Sequence, residues 1–344
     1  MGRGLVLNAK LPHYEHDNPS LAFQIAPVTP IAVITNRGST RNLRGDNWVD
    51  PMLSGESHVT HLKIDRADQV EDAVRQCAAM GAEVVVVNGG DGTAGLVFAA
   101  LLNGDAYATP PALALLPAGK TNMTTAGWSL TGTPESALAA VLRNRREGTL
   151  ARHVVNRPIL TLRQDDTTPP LYGAFFGAAE VVDGIRFCRR YIYPLKMPNT
   201  ISHAAAMAIL FWRGLRATQD RGAVTVQHND KAFEQGNFFA VAITALDELL
   251  LGIKPAAPYL DAEAGGLHYI SLRIGAPAIL RAIPDMLRQR ITPGPGRTVH
   301  RMNRLTLNFN GAYTLDGELY EARAEQPLVL DGGNRLNFVR LPAS

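Results

Sequence analysis

Between Ile31 and Gly119 short runs of consecutive apolar residues alternate with amphipathic stretches. IAVIT (31–35) is a β-branched run that ends in the polar Asn36-Arg37-Gly38-Ser39, which predicts a buried strand entering a turn. His58 to Ile64 fits a second strand. Asp65 is then placed to cap a helix, because Val70, Ala73, Val74, Cys77 and Met80 recur at three- and four-residue spacing and Gly81 supplies a stop. The consecutive valines Val84 to Val87 predict a strand covered on both faces, followed by a glycine turn and a helical run from Thr93 to Leu102. ALALLPAG (112–119) repeats the strand-then-glycine pattern. Strands alternating with helices at this spacing predict a parallel sheet with helices on both faces and functional loops at the strands' carboxyl ends.

After about Leu150 the pattern changes to short alternating runs at 159–163, 171–176, 223–228, 238–245, 268–274 and 305–309, separated by Pro, Gly and Asp. This predicts an antiparallel β domain carrying helices near Ser202–Arg216 and Pro277–Arg288, with ITPGPGRT as a connection. The expected fold class is α/β plus β: an N-terminal parallel-sheet nucleotide-binding domain and a C-terminal antiparallel β-sandwich. The length of 344 residues suits two domains. Residues 1–27 read as an extension, 28–152 as the α/β domain and 153–325 as the β-sandwich, with 326–344 a segment that is a candidate to return to the first domain.

Composition narrows the class of protein. With 46% hydrophobic and 19% charged residues the chain is neither disordered nor fibrous. The two cysteines, Cys77 and Cys188, are far apart and lack a CxxC neighbour, so no disulfide framework or cysteine zinc site is expected, in keeping with a cytoplasmic location. Neither a signal peptide nor a membrane span is apparent, and the nine histidines show no HExxH spacing. A net charge of +3 without stacking aromatics among the basic residues argues against nucleic acid. The basic residues concentrate instead between Arg186 and Arg221, where the apolar run Ala204–Trp212 is flanked by Arg213, Arg216 and Arg221. That stretch suits peripheral contact with the inner membrane face, although its apolar residues run nearly all round a helix and so equally suit burial. An acyl-chain pocket beside it would satisfy both readings, and a homodimer is compatible with the sequence.

The chemistry concentrates at Gly89-Gly90-Asp91-Gly92-Thr93, directly after a buried strand and before a helix. Glycines there admit close backbone approach, and the helix N-terminus presents N–H groups and a positive dipole end to phosphate. Asp91 is placed to reach a phosphate-bound Mg²⁺. The stretch also satisfies GxGxxG at Gly90, Gly92 and Gly95, but ALALLPAGKTN lacks the ribose-binding acid expected about twenty residues on. Gly119-Lys120-Thr121 resembles the tail of a Walker A loop, yet Ala114 stands where its first glycine belongs and Pro117 interrupts it.

GGDGT followed by Leu116-Pro117-Ala118-Gly119-Lys120-Thr121-Asn122 resembles the diacylglycerol kinase catalytic domain family, which includes bacterial lipid kinases and sphingosine and ceramide kinases. The likeness extends from Asn36-Arg37-Gly38-Ser39 to Asp316-Gly317-Glu318. NAD kinases and phosphofructokinases share GGDG, but the former's Asn-x-Gly-x-Leu-Gly-Phe loop and the latter's TIDND segment do not occur here. The resemblance implies ATP and Mg²⁺ bound between two domains and a lipid hydroxyl as acceptor, diacylglycerol before other lipids. It implies Asp316 as general base, Glu318 and Asp91 as catalytic Mg²⁺ ligands, and Asn36, Gly89, Gly90, Gly92, Thr93, Gly119, Lys120, Thr121 and Asn122 along the nucleotide loops. Taken locally, YTLDGELY reads simply as a hairpin with a DG turn, and Asp331-Gly332-Gly333 as another turn.

Three departures from the family pattern bear on function. Met123 stands where relatives carry an aspartate, and Lys120 adds a cation that either faces phosphate or is merely exposed. In the Asp261–Tyr269 segment, Gly265 and Tyr269 replace the acids of a structural Mg²⁺ loop, so that ion site is expected to be absent or rebuilt around Asp261 and Glu263. The expected activity is ATP-dependent lipid phosphorylation. The alternatives are a sphingoid-base, ceramide or other lipid kinase, an NAD-kinase-like enzyme with a soluble substrate, and a catalytically weak lipid- or nucleotide-binding protein.

Overall fold

A computed structural model describes residues 29–165, 167–187, 190, 223–258 and 266–341. The extension 1–27, Cys188, the expected helix Ser202–Arg216 with most of the basic segment, and Asp261, Glu263 and Gly265 lie outside the described residues.

Strands β1 (Ile31–Asn36), β2 (Val59–Ile64), β3 (Val84–Gly89) and β4 (Ala112–Pro117) run parallel in the order β2-β1-β3-β4. Helices α1 (Val49–Leu53), α2 (Val70–Ala79), α3 (Asp91–Asn103), α4 (Met123–Trp128) and α5 (Pro134–Arg146) connect or cover them. The four valines of β3 point alternately to the two faces: Val84 and Val86 pack with Leu138, Val141 and Leu142 of α5, whereas Val85 and Val87 pack with Val74, Val97 and Phe98 of α2 and α3. Each such fully buried valine contributes roughly 1.5–3 kcal/mol, which explains why an unbroken apolar run rather than an alternating one forms this strand. Asp65 does not cap α2. A 3₁₀ turn at Ala67–Gln69 precedes the helix, and the Gln69 side chain folds back to accept from the Asp65 and Arg66 amides at 2.8 and 3.0 Å. Gly81 does end the helix, with φ +65°. The α5 helix begins at a capping box, where Thr133 accepts from the Ser136 amide at 3.1 Å and Pro134 occupies the first turn.

The remaining elements are β5 (Val154–Pro158), β6 (Leu160–Arg163), β7 (Leu171–Gly173), β8 (Phe175–Ala179), α6 (Glu180–Phe187), β9 (Val224–His228), β10 (Lys231–Gly236) and β11 (Phe238–Thr244). They continue with β12 (Lys254–Pro255), β13 (Leu267–Arg273), α7 (Ala276–Leu287), β14 (Arg290–Ile291), β15 (Arg297–Met302), β16 (Arg304–Asn308), β17 (Gly311–Leu315), β18 (Glu318–Ala322), β19 (Leu328–Asp331) and β20 (Arg335–Val339). Two six-stranded antiparallel sheets result, β10-β9-β16-β19-β6-β7 and β15-β13-β11-β8-β17-β18. Alternate residues of the first, such as Leu162, Val226, Leu307 and Leu330, share one core with Phe176, Ile243, Tyr269 and Tyr313 of the second. This is the antiparallel domain that the alternating runs predict, and the same core continues into the α2–α3 face of the parallel sheet.

The first sheet is mixed rather than wholly parallel. Strand β5, which the expected boundary after residue 152 places in the second domain, pairs antiparallel with β20, and β20, within the 326–344 segment, lies parallel to β4. The β4–β20 ladder has a single registered pair, Leu113 with Phe338. Beyond it the buried Ser129 hydroxyl stands in for ladder bonds: it accepts from the Leu115 amide at 2.9 Å and donates to the Val339 carbonyl at 2.8 Å. Ser129→Ala leaves both backbone groups unpaired and is expected to cost about 2–4 kcal/mol, measurable by urea unfolding. A change below ~0.5 kcal/mol would show that the strands hold together without the hydroxyl.

Candidate functional site

The chain leaves β1 toward β2 on one side and leaves β3 toward β4 on the other, so a crevice opens at the carboxyl ends of β1 and β3. Three loops meet there, and side chains rather than sheet hydrogen bonds hold them together. The Asn36 amide, at the end of β1, donates to the Thr93 hydroxyl in the first turn of α3 at 2.9 Å and accepts from the Gly38 amide at 2.9 Å. The buried Asn42 donates to the carbonyls of Asn36 (2.8 Å) and Asn88 (3.0 Å), clamping the ends of β1 and β3. The Arg41 amide donates to the Ala118 carbonyl at 3.1 Å, which brings in the loop after β4.

Glycine is required where these loops touch. A Cβ on Gly119 would lie 2.6 Å from the Gly90 Cα, and one on Gly89 would lie 2.6 Å from the Thr93 Cβ. Gly92 faces open space instead. Asn122 adopts a left-handed conformation (φ 51°), and its side chain closes the loop by accepting from the Gly119 amide at 2.7 Å and donating to the Gly119 carbonyl at 3.1 Å. Lys120 and Thr121 are half-buried between these anchors. Helix α3 starts at Gly90 without a side-chain cap, so the amides of its first turn are available to an anion at the crevice.

Asp91, the first residue of α3, turns its carboxylate away from its own helix. It accepts from the Met123 and Thr124 amides at 3.2 and 3.1 Å and thereby caps α4. Burial nevertheless raises its pKa, outweighing these hydrogen bonds. Met123, at the expected carboxylate position, contributes its backbone N–H to Asp91 and packs its side chain against the core.

The second domain supplies the opposing wall. Asp316 and Gly317 both have positive φ (48° and 92°) and form the tight turn of the β17–β18 hairpin that the DG pair predicts. The turn aims the Asp316 carboxylate at the β7–β8 junction, where it accepts from the Phe175 amide at 2.8 Å and the Ala174 amide at 3.0 Å. Gly173 makes room for it, since a Cβ there would stand 2.4 Å from Asp316 Oδ2. Burial first, and the negative charge of Asp91 second, push the Asp316 carboxyl up to about 8. Glu318 begins β18, opposite Leu315, and is exposed. Its charge and that of Asp316 add to burial in raising the pKa of Tyr320.

Asp91 and Asp316 thus come from different domains to one crevice, with Glu318 two residues beyond Asp316. No three His, Cys, Asp or Glu among the described residues form a metal cluster. A carboxylate pair whose mutual repulsion a cation would relieve nonetheless fits Mg²⁺, which keeps water and phosphate oxygens as most of its ligands. Gly173 and Asn42 are absent from the sequence-derived site. A glycine within the 171–176 run signals close backbone approach, whereas Asn42 has no local signal because both its partners are set by tertiary structure.

Residues 30–152 match the family model of the diacylglycerol kinase catalytic domain. No curated protein matches the chain. A crystal structure from Bacillus anthracis str. Sterne, provisionally assigned as a diacylglycerol kinase, is similar with a TM-score of 0.58 and 14% identity, over 91% of this chain and 97% of that one. Another crystal structure from that organism, of a diacylglycerol kinase, has a TM-score of 0.55 and 13% identity over the same shares. At these identities the likeness is one of fold, and it covers both domains.

The raised Asp316 carboxyl gives a stability signature. Its folded value of about 8 exceeds the ordinary 3.8 of an unfolded chain, so the folded state binds more protons between these limits. Stability present at pH 4 is therefore lost as pH rises toward 8. Asp316→Asn removes that loss and is expected to gain on the wild type across this window, by on the order of a few kcal/mol at pH 8. Denaturant unfolding at pH 5 and pH 8 measures the gain; a difference independent of pH would show that Asp316 is not held in its neutral form.

Proposed function

We propose that the protein is an ATP-dependent kinase that transfers the γ-phosphoryl group to a lipid hydroxyl, with diacylglycerol the leading acceptor. The observation that carries this reading is the opposition of Asp91 and Asp316 across the crevice between the phosphate-binding loops and the β-sandwich. Asn36, Gly90, Gly92, Thr93, Gly119 and Asn122 line the nucleotide side, with Gly89 shaping the turn, and Lys120 and Thr121 sit in the same loop. Asp91 and Glu318 would hold Mg²⁺, which supplies positive charge against the transferred phosphoryl group. A raised pKa suits Asp316 to accept the proton of an attacking hydroxyl near neutral pH, and positive charge bound beside it favours the ionised form that does so. Its two backbone donors hold the carboxylate in place without supplying a competing base.

The lipid acceptor rests on the family match and on the fold shared with the Bacillus anthracis structures. A cytoplasmic location with peripheral contact at the inner membrane face follows from that acceptor. No helix among the described residues is long and apolar enough to cross a membrane.

The test is transfer of labelled γ-phosphate from Mg-ATP to mixed micelles of diacylglycerol, monoacylglycerol, sphingosine, ceramide or phosphatidylglycerol. Asp316→Asn is expected to lower kcat by about 10²–10⁴-fold with ATP affinity nearly unchanged. Transfer to NAD in the absence of lipid would replace the lipid reading, and ATP binding without transfer to any acceptor would make this a binding protein. Gly173→Ala separates position from chemistry: it retains the base but displaces it, so kcat is expected to fall while the Kd for ATP stays constant.

A further inference from the structure

Helix α7 is apolar on two opposite sides. Its inner side, Ala278, Ile279 and Ala282, packs on Phe239 and Leu272 of the β11–β13 surface. Its outer side carries Leu280 at 53% and Leu287 at 81% exposure, seven residues apart and therefore on one line along the helix. Pro277 and Pro284 are exposed between and beside them. A leucine that extends into water along its whole length forfeits the stabilisation it would gain in an apolar medium, and two on one ridge with two prolines form a patch rather than scattered residues.

The charges around the ridge indicate what covers it. Arg281 and Arg288 flank the leucines on the same helix, and Arg290 follows directly; all three are exposed. The helix's single acid, Asp285, is turned inward, where it accepts from the Thr292 hydroxyl and amide and from Arg297 at 2.9 Å. Glu248, near the helix end, pairs with Lys254 at 3.6 Å. The outer face therefore combines apolar side chains with exposed guanidinium groups, of which Arg288 is partly balanced by Asp285 while no acid among the described residues pairs with Arg281 or Arg290 across the ridge. A symmetric self-association through this face would set arginines against arginines. A leaflet of anionic lipid meets both features at once: the leucines enter the acyl boundary while the arginine stems lie along it and the guanidinium groups reach head-group phosphates.

We propose that the outer face of α7 is a membrane-docking surface selective for anionic lipid. It is distinct from the basic stretch 186–221 and stands independently of the kinase reading, because docking is measured without turnover. If the kinase reading also holds, α7 brings the β-sandwich domain to the surface that holds the acceptor.

Flotation of the full chain with vesicles of phosphatidylcholine alone, or of phosphatidylcholine mixed with phosphatidylglycerol, decides the matter. The wild type is expected to float with the mixed vesicles and to be released by salt. Leu280→Ser with Leu287→Ser is expected to weaken that partition by at least roughly tenfold. Arg281→Gln with Arg288→Gln should weaken it by roughly tenfold or more on mixed vesicles and leave weak binding to phosphatidylcholine unaltered. Both pairs are exposed and Arg288 has only a charge interaction with Asp285, so the denaturation midpoint should move little, and activity toward a short-chain, water-dispersed acceptor reports separately on the kinase reading. Equal flotation of wild type and both double variants would overturn the proposal. So would failure of the wild type to bind either vesicle, or sedimentation velocity showing a dimer that the leucine variant dissolves.

Discussion

Two half-buried carboxyl groups from different domains share one crevice in which charge is costly, and much of the surrounding structure is arranged to keep them there. Neither is left to its partner alone. Asp91 is tied to the first amides of α4 and Asp316 to the amides at the β7–β8 junction. Hydrogen bonds to the charged form lower a carboxyl pKa, and burial raises it; for both groups burial prevails. A site poised in this way changes its charge state readily when a cation enters, because the cost of ionisation comes mainly from missing solvent and, for Asp316, also from the charge of Asp91. The glycines follow from the same constraint. Gly173 is small because Asp316 must approach the strand, and Gly90 and Gly119 are small because the loops behind Asp91 must touch.

The helices divide the anion-binding work in an uneven way. The first turn of α4 is already capped by Asp91, whereas α3 begins without a side-chain cap. Only one of the two adjacent helix N-termini is therefore open to an external anion, and it is the one that follows the glycine-rich loop. Met123 fits this division: the position contributes a backbone donor to Asp91, and its thioether joins the core.

What could be read from the sequence was whatever depends on local periodicity. The alternation of buried runs and amphipathic stretches specified the β1–β4 sheet, α2 and α3, and the DG pair specified the hairpin turn at Asp316. The return of the chain end to the first sheet was expected for 326–344 and is made by β20, although β19 stays in the sandwich; the place of β5 was not legible, because nothing local says which sheet a short strand joins. Asp65 looked like a cap, but a 3₁₀ turn that starts after Arg66 intervenes, and the Gln69 side chain folds back onto the Asp65 and Arg66 amides. Helices α1 and α4 are each too short to show a period. Within the site, the loop residues were legible because glycine spacing records close approach, whereas the mutual placement of Asp91 and Asp316 belongs to the packing of two domains.

The route of the chain through the first sheet bears on how the molecule is made. Ser129 and Val339 are separated by 210 positions, yet one hydroxyl joins them in the interior of that sheet. Strands β1 to β4 leave the ribosome long before β20 exists, so β4 lacks this native neighbour until nearly the whole chain has been synthesised. A bare parallel edge is a template for wrong partners. Loss of soluble yield on synthesis would report on the late arrival of β20 even in a variant whose finished fold is sound.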